Sequence, residues 1–158
     1  MPNENALRAQ LVQLLDWDSA HVGFDKAVAG IPPKMRGVVP GGWEYSAWQL
    51  VEHLRIAQAD ILEFCVSATY KEKKWPDAYW PASAAPRSGE AWTRSIAGYH
   101  RDLKALQRLT ADTRIDLQAA IPHGSGQTYL REILLVADHT AYHVGQIVAL
   151  RRQLGIWK

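Results

Sequence analysis

Two histidines one helical turn apart, His139 and His143, are the residues best placed for chemistry in this sequence. Side chains at positions i and i+4 of an α-helix lie on the same face, so the two imidazoles would lie side by side. Neutral imidazoles are preferred ligands of zinc and of several other divalent transition metals. The pair therefore predicts half of a metal site.

The neighbours of this pair indicate that it faces the interior. Along the predicted last helix, Val136, His139, His143 and Ile147 form one row, and a row flanked by apolar residues should face other helices. Two imidazoles buried there without partners would each cost roughly 1–3 kcal/mol, which a metal, a carboxylate or a carbonyl would offset. From spacing alone, hydrogen-bonded core histidines that form a pair by chance remain the alternative.

His53 is the predicted third ligand, contributed by a different helix. It lies three and four residues from Leu50 and Ala57, so it borders the apolar stripe of that helix. Three histidines leave coordination positions open, which is typical of catalytic sites. Asp138 and Glu52 each precede a candidate ligand and point about 100° away from it, so they are poor ligands for the same ion. The sequence has no H-E-x-x-H motif, which disfavours a zincin protease.

Four further residues are candidates for lining the pocket or supporting the ligands. Glu132 lies seven residues before His139 on the same side of the helix, where it could orient a ligand or a water. His21, Trp48 and Trp80 are candidates for the pocket wall, with surface or packing roles as the alternative. No residue stands out as a general base, so the catalytic residues are not identified.

The elements that must position these residues are four long helices. Apolar residues recur at helical spacing over four ranges, approximately 5–27, 46–68, 88–110 and 127–154. Ser46 and Gln49 fit a capping box at the start of the second helix, and Ser88 is a suitable N-cap for the third. The pattern predicts a single all-α domain over residues 1–158, a four-helix bundle of up-down type with long crossing connections. The aromatic-rich connection 70–87 is expected to be an ordered flap over one end of the bundle.

Composition excludes several classes of function. The chain has 158 residues, 47% of them hydrophobic, and a net charge of +2 without a dense Lys/Arg cluster, which disfavours nucleic acid and anionic membranes as partners. We expect no membrane-spanning segment and no signal peptide. The single cysteine, Cys65, excludes an internal disulfide and favours a reducing, cytoplasmic location.

Two segments carry a resemblance to a known family. Trp48-Gln-Leu-Val-Glu-His53-Leu and Asp138-His139-Thr-Ala-Tyr-His143-Val-Gly-Gln resemble the corresponding motifs of the DinB-like superfamily, which includes the YfiT-like metal-dependent hydrolases and thiol-dependent transferases and isomerases. The similarity spans nearly the whole chain, including Trp80-Pro81, Asp60-Ile61-Leu62 and Thr128-Tyr-Leu-Arg-Glu132. The resemblance implies a four-helix bundle and a divalent metal, most often nickel or zinc, held by His53, His139 and His143.

The resemblance leaves two kinds of function open. One is a metal-dependent enzyme that hydrolyses a small molecule, or that transfers or isomerises groups with a low-molecular-weight thiol. The other is a stress-related protein that binds a metal or a small molecule without turnover. A homodimer is a further expectation from the resemblance. A purely structural bundle, in which the histidines are satisfied core groups, is what the residues alone would also allow.

Overall fold

The computed structural model describes the backbone of residues 2–157 and the side chains of residues 4–157. Within these residues the chain forms four long helices and one short one: α1 (Pro2–Leu14), α2 (Phe24–Val28), α3 (Ala47–Val66), α4 (Gly89–Ala111) and α5 (Tyr129–Gln153). Single turns of 3₁₀ helix occur at Pro33–Met35 and Asp77–Tyr79. The predicted all-α bundle is confirmed, and α3, α4 and α5 begin and end within about two residues of the predicted bounds.

Helix α3 lies at the centre of the bundle because it packs against both α4 and α5. Helix α1 contacts the same two helices, and α2 packs against α5. The shared core contains side chains with almost no exposed surface from three helices, namely Leu50, Leu54, Tyr99, Leu106, Ile133 and Ile147. Burial of each such side chain contributes about 1.5–3 kcal/mol to folding. The two helices that carry the candidate ligands are therefore held rigidly against each other.

The start of α3 is fixed by several hydrogen bonds. Ser46 Oγ accepts from the Gln49 backbone N–H at 3.2 Å, and Gln49 Oε1 accepts from the Ser46 N–H at 3.0 Å, so the predicted capping box is present. The Ser46 hydroxyl also donates to the carbonyl of Ala84, and the Trp48 N–H donates to the carbonyl of Arg36. Both connections that flank α3 are thus tied to its first turn, two turns before His53.

Helix α5 is capped at both ends, close to the bounds that the sequence predicts. Thr128 Oγ1 accepts from the Arg131 N–H at 3.1 Å, and Gly155 follows the helix with φ of 68°, a conformation that glycine adopts without strain. The buried Arg151 guanidinium donates to the carbonyls of Lys26 and Ala27 at 3.1 and 2.6 Å, which joins the end of α5 to α2. The site-bearing helix is therefore anchored over its full length.

The prediction of one unbroken helix over approximately residues 5–27 was wrong. Helix α1 ends at Leu14, residues 15–23 form a connection, and the chain becomes helical again only at Phe24. The connection contains Asp16 and Asp18, whose side chains compete with the backbone for hydrogen bonds and disfavour helix interiors. The Phe24 ring stacks on Tyr99 at 3.8 Å in the core, which requires the chain to turn inwards there.

The expectation that no segment is apolar and long enough to span a bilayer was wrong on those two criteria alone. By length and composition, α5 (Tyr129–Gln153) could cross a bilayer. Helices at the core of a bundle share this property, because the apolar face that packs on other helices also raises the mean hydropathy. Buried charged residues at both ends of α5, Glu132 and Arg151, pair with protein groups in this fold.

The cap of α3 is testable by substitution. We expect Ser46→Ala to lower the free energy of unfolding by about 1–2 kcal/mol, because a buried hydroxyl that caps the helix and holds the Ala84 carbonyl is lost. Urea denaturation followed by circular dichroism measures the change. The matched variant Ser88→Ala removes the exposed cap of α4 and should cost less, about 0.5–1 kcal/mol. Equal losses in the two variants would contradict the role given to the Ala84 contact.

Candidate metal centre

Three histidines from two helices meet in the interior. His53 on α3 and His143 on α5 are buried, and His139 on α5 is partly buried. One ring nitrogen of each lies within 4.8 Å of the others, and the Nε2 atoms of His53 and His139 are 3.0 Å apart. Two nitrogens that bind one ion at about 2.0–2.1 Å are themselves roughly 3 Å apart, so this spacing suits a shared metal. The structure thus brings together the three residues that the sequence predicts as ligands.

Hydrogen bonds fix the tautomers of two of these imidazoles. His53 Nδ1 lies 2.9 Å from the carbonyl of Tyr79, which can only accept, so Nδ1–H donates and Nε2 carries the lone pair. His143 Nδ1 lies 2.6 Å from Gln146 Oε1, which gives the same tautomer. Outer hydrogen bonds of this kind orient imidazoles that bind metals. The Nε2 atoms of both rings therefore carry the free lone pairs that a metal ion could accept.

Burial keeps the three imidazoles neutral. It lowers the pKa of His53 below the ordinary value of 6.5, although the bond to Tyr79 acts in the opposite direction. Burial, assisted by the neighbouring His143 and His53, lowers the pKa of His139 to about 3. Burial and the nearby His53 lower the pKa of His143 to about 4. Protons therefore do not compete for these nitrogens at neutral pH, and the donor set fits a divalent ion of the zinc or nickel type.

The rings of Trp80 and Tyr45 form a stack with the His53 imidazole. The Trp80 ring stacks on the His53 imidazole with centroids 3.9 Å apart and parallel planes. Tyr45 stacks on the other face of Trp80 at 3.8 Å. Trp80, which the sequence placed near the site, thus contacts a ligand directly and restricts the orientation of its ring.

Asp60 anchors the connection that supplies the Tyr79 carbonyl. Its buried carboxylate accepts hydrogen bonds from the hydroxyls of Tyr79 at 2.6 Å and Tyr70 at 3.2 Å, and from Lys73 Nζ at 2.6 Å. These bonds fix residues 70–79 on α3 close to His53. The connection that was expected to be an ordered flap therefore forms a wall of the site, and the Asp60 carboxylate holds it against α3.

A cavity of about 630 Å³ opens beside the histidines. Its walls come from α3, α5 and both long connections, and include His53, Asp60, Tyr79, His123, Glu132 and His139. The Glu132 carboxylate is buried in this wall and pairs with Arg131 Nη1 at 2.6 Å. This volume lies within the range of small-molecule sites and leaves room for a ligand beside the ion.

Two predicted pocket residues lie elsewhere. His21 is exposed in the connection between α1 and α2, where its Nδ1 contacts the carbonyl of Val22. Trp48 is buried on α3 but does not line the cavity beside the histidines. Sequence reasoning missed Tyr79 and Gln146. The only signal for Gln146 was its place three residues after His143, and a backbone carbonyl such as that of Tyr79 leaves no signal.

The neutral imidazoles predict a pH dependence of stability. In the unfolded chain these histidines take up protons near pH 6.5, whereas in the folded protein His139 and His143 resist protonation to about pH 3 and 4. Stability is therefore full above pH 6.5 and is lost as the pH falls below it. For the metal-free protein we expect the free energy of unfolding to fall by about 1–2 kcal/mol per histidine between about pH 7 and 5.

Urea denaturation at several pH values measures this loss. A double variant, His139→Gln with His143→Gln, should show a flatter dependence over the same range, because it lacks the two groups that titrate differently in the folded and unfolded states. An equally steep loss in the double variant would contradict the assignment.

The comparisons with known proteins agree with this geometry. Curated proteins and solved structures gave no match to the chain. The family model described as mycothiol-S-transferase matches residues 10–155, a range that includes all three histidines and every wall of the cavity. That family lies within the DinB/YfiT-like metal-dependent superfamily, so the resemblance noted in the sequence is confirmed. The chain therefore belongs to the mycothiol-S-transferase family.

Proposed function

We propose that this protein is a metal-dependent S-transferase that joins the sulfur of a low-molecular-weight thiol to a small electrophilic molecule. The thiol that the family description names is mycothiol. The observation that carries the proposal is the cluster of three neutral imidazoles at one end of a cavity of about 630 Å³. A cavity of this size can hold small organic reactants, and the matched family favours transfer over hydrolysis.

The three histidines would hold a divalent ion and leave positions open for the thiol. One nitrogen of each ring lies within 4.8 Å of the others, and the Tyr79 carbonyl and Gln146 Oε1 keep two of the rings in the required tautomer. When bound, such an ion supplies Lewis acidity, which lowers the pKa of a thiol and so makes transfer of the thiol proton to a nearby base easier near neutral pH. The stacked Trp80 ring excludes water from one side of His53.

We propose Glu132 as the acceptor of the thiol proton, because it is a buried carboxylate of the cavity wall with spare capacity to accept hydrogen bonds. Of the two buried carboxylates in the cavity wall, Asp60 already accepts from three donors, whereas Arg131 is the only hydrogen-bond partner of Glu132 among the described residues. In the proposed step, the S–H proton passes to Glu132. The sulfur electron pair then forms the new S–C bond, and the leaving group departs with the electrons of the bond that breaks.

Loss of one ligand tests the metal and the reaction together. We expect His139→Ala to lose stoichiometric metal, measured by plasma mass spectrometry. It should also lose the rate, above the uncatalysed background, at which mycothiol and monobromobimane form their conjugate, measured by chromatography. His21→Ala removes an exposed histidine away from the site and should retain both properties. A metal-loaded wild-type protein without turnover of any thiol would contradict the proposal and favour a binding protein.

The proton acceptor is tested separately. We expect Glu132→Gln to keep its metal but to lower kcat by about 10²-fold or more near neutral pH. The deficit should shrink as the pH rises, because solvent then removes the thiol proton without help from Glu132. The control Glu63→Gln alters an exposed carboxylate on α3 and should match the wild type. A deficit for Glu132→Gln that does not change with pH would contradict proton transfer to this residue.

A further inference from the structure

A second cavity of about 630 Å³ lies between α3 and α4. It is lined by Trp48, Glu52 and Arg55 on α3, by side chains within residues 91–101 of α4 and by side chains within residues 81–87 of the connection that joins the two helices. It shares no lining residue with the cavity beside the histidines. The proposed thiol transfer does not use this cavity.

The lining of the second cavity is strongly basic. Four arginines contribute to it: Arg55, Arg87, Arg94 and Arg101. Arg55 pairs with Glu52 at 2.6 Å, and Arg101 pairs with Asp102 at 2.9 Å. In the part of the chain that the structure describes, Arg87 and Arg94 have no carboxylate within 4 Å. Neither of these two guanidiniums therefore forms an ion pair with a described residue at this cavity.

Two buried side chains of the same cavity lack hydrogen-bond partners. Trp48 and Ser95 are both more than nine-tenths buried, and within residues 4–157 neither Trp48 Nε1 nor Ser95 Oγ has a partner. An indole N–H can only donate, and buried donors are normally satisfied. The same cavity thus contains unsatisfied hydrogen-bond donors and arginines without ion pairs. This combination favours binding of a hydrogen-bond acceptor from outside the chain.

We propose that this cavity binds the phosphate group of a small organic molecule. A phosphate monoester carries a charge of about −1.5 to −2 at neutral pH and three acceptor oxygens, which matches two free guanidiniums and two unsatisfied donors. A carboxylate brings one charge and two oxygens, so it would leave a cation uncompensated. Arginine forks bind phosphate oxygens bidentately. The volume exceeds that of a phosphate ion, and Pro81, Ala82 and Ala91 provide an apolar wall for the organic part.

Phenyl phosphate is a suitable probe for this site. We expect saturable binding to the metal-loaded protein by isothermal titration calorimetry, tighter than for inorganic phosphate because the ring also contacts the apolar wall. In ¹⁵N-resolved NMR spectra the amides of Ser83, Ser95 and Gly98 should shift with the same affinity. Absence of saturable binding, or tighter binding of succinate than of phenyl phosphate, would overturn the proposal.

Variants locate the bound phosphate. The double variant Arg87→Gln with Arg94→Gln should weaken phenyl phosphate at least about tenfold, because two charge-assisted contacts are lost. Ser95→Ala should weaken it several-fold through loss of one buried hydroxyl. The matched double variant Lys104→Gln with Arg108→Gln removes the same charge from exposed positions of α4 outside the cavity and should leave the affinity within about twofold.

Two results of these experiments would contradict the location. Equal weakening in the Lys104/Arg108 variant would show attraction by net charge alone. Shifts confined to amides beside His139 and Glu132, with affinity unchanged in the Arg87/Arg94 variant, would place the phosphate at the histidine cluster instead.

Discussion

The structure depends on the enclosure of three imidazoles that can share one small volume only while they are uncharged. Two of their nitrogens are 3.0 Å apart, a distance at which two imidazolium ions would repel strongly. Burial between α3 and α5 keeps each ring in its neutral form, with a single N–H, and thereby permits the close approach. Three features keep these imidazoles buried: the packing of α3 against α4 and α5, the caps of α3 and α5, and the Trp80 ring stacked on His53.

The site is completed by a connection rather than by the bundle alone. The carbonyl of Tyr79 sets the tautomer of His53, and the next residue, Trp80, covers the same ring. The hydroxyl of Tyr79 is held by Asp60, two helical turns beyond His53 on α3. A single helix thus provides both a ligand and the anchor for the segment that orients this ligand. Order in residues 70–80 and order at the histidine cluster are consequently linked.

Most of the helical framework could be predicted because its signals are local. Capping residues such as Ser46 and Thr128, and apolar residues at helical spacing, fix α3, α4 and α5. The pair His139/His143 was visible because helix geometry alone makes i and i+4 neighbours. The break after Leu14 had only a weak local signal in Asp16 and Asp18, since it also depends on the docking of Phe24 against Tyr99 from another helix. The cavity between α3 and α4 was equally hidden, because the gap arises only when both helices and residues 81–87 are in place.

The attachment of residues 70–79 through Asp60 has a consequence for how such a protein can diversify. The ligands lie on two packed helices whose replacement would disturb the core, whereas the wall opposite them is one stretch of chain held by a few side-chain bonds. Insertions or substitutions within residues 70–79 can change the shape of the cavity while the Asp60 carboxylate still holds this segment against α3. Selectivity can therefore drift over evolutionary time, or be altered by loop grafting, without rebuilding the reactive centre.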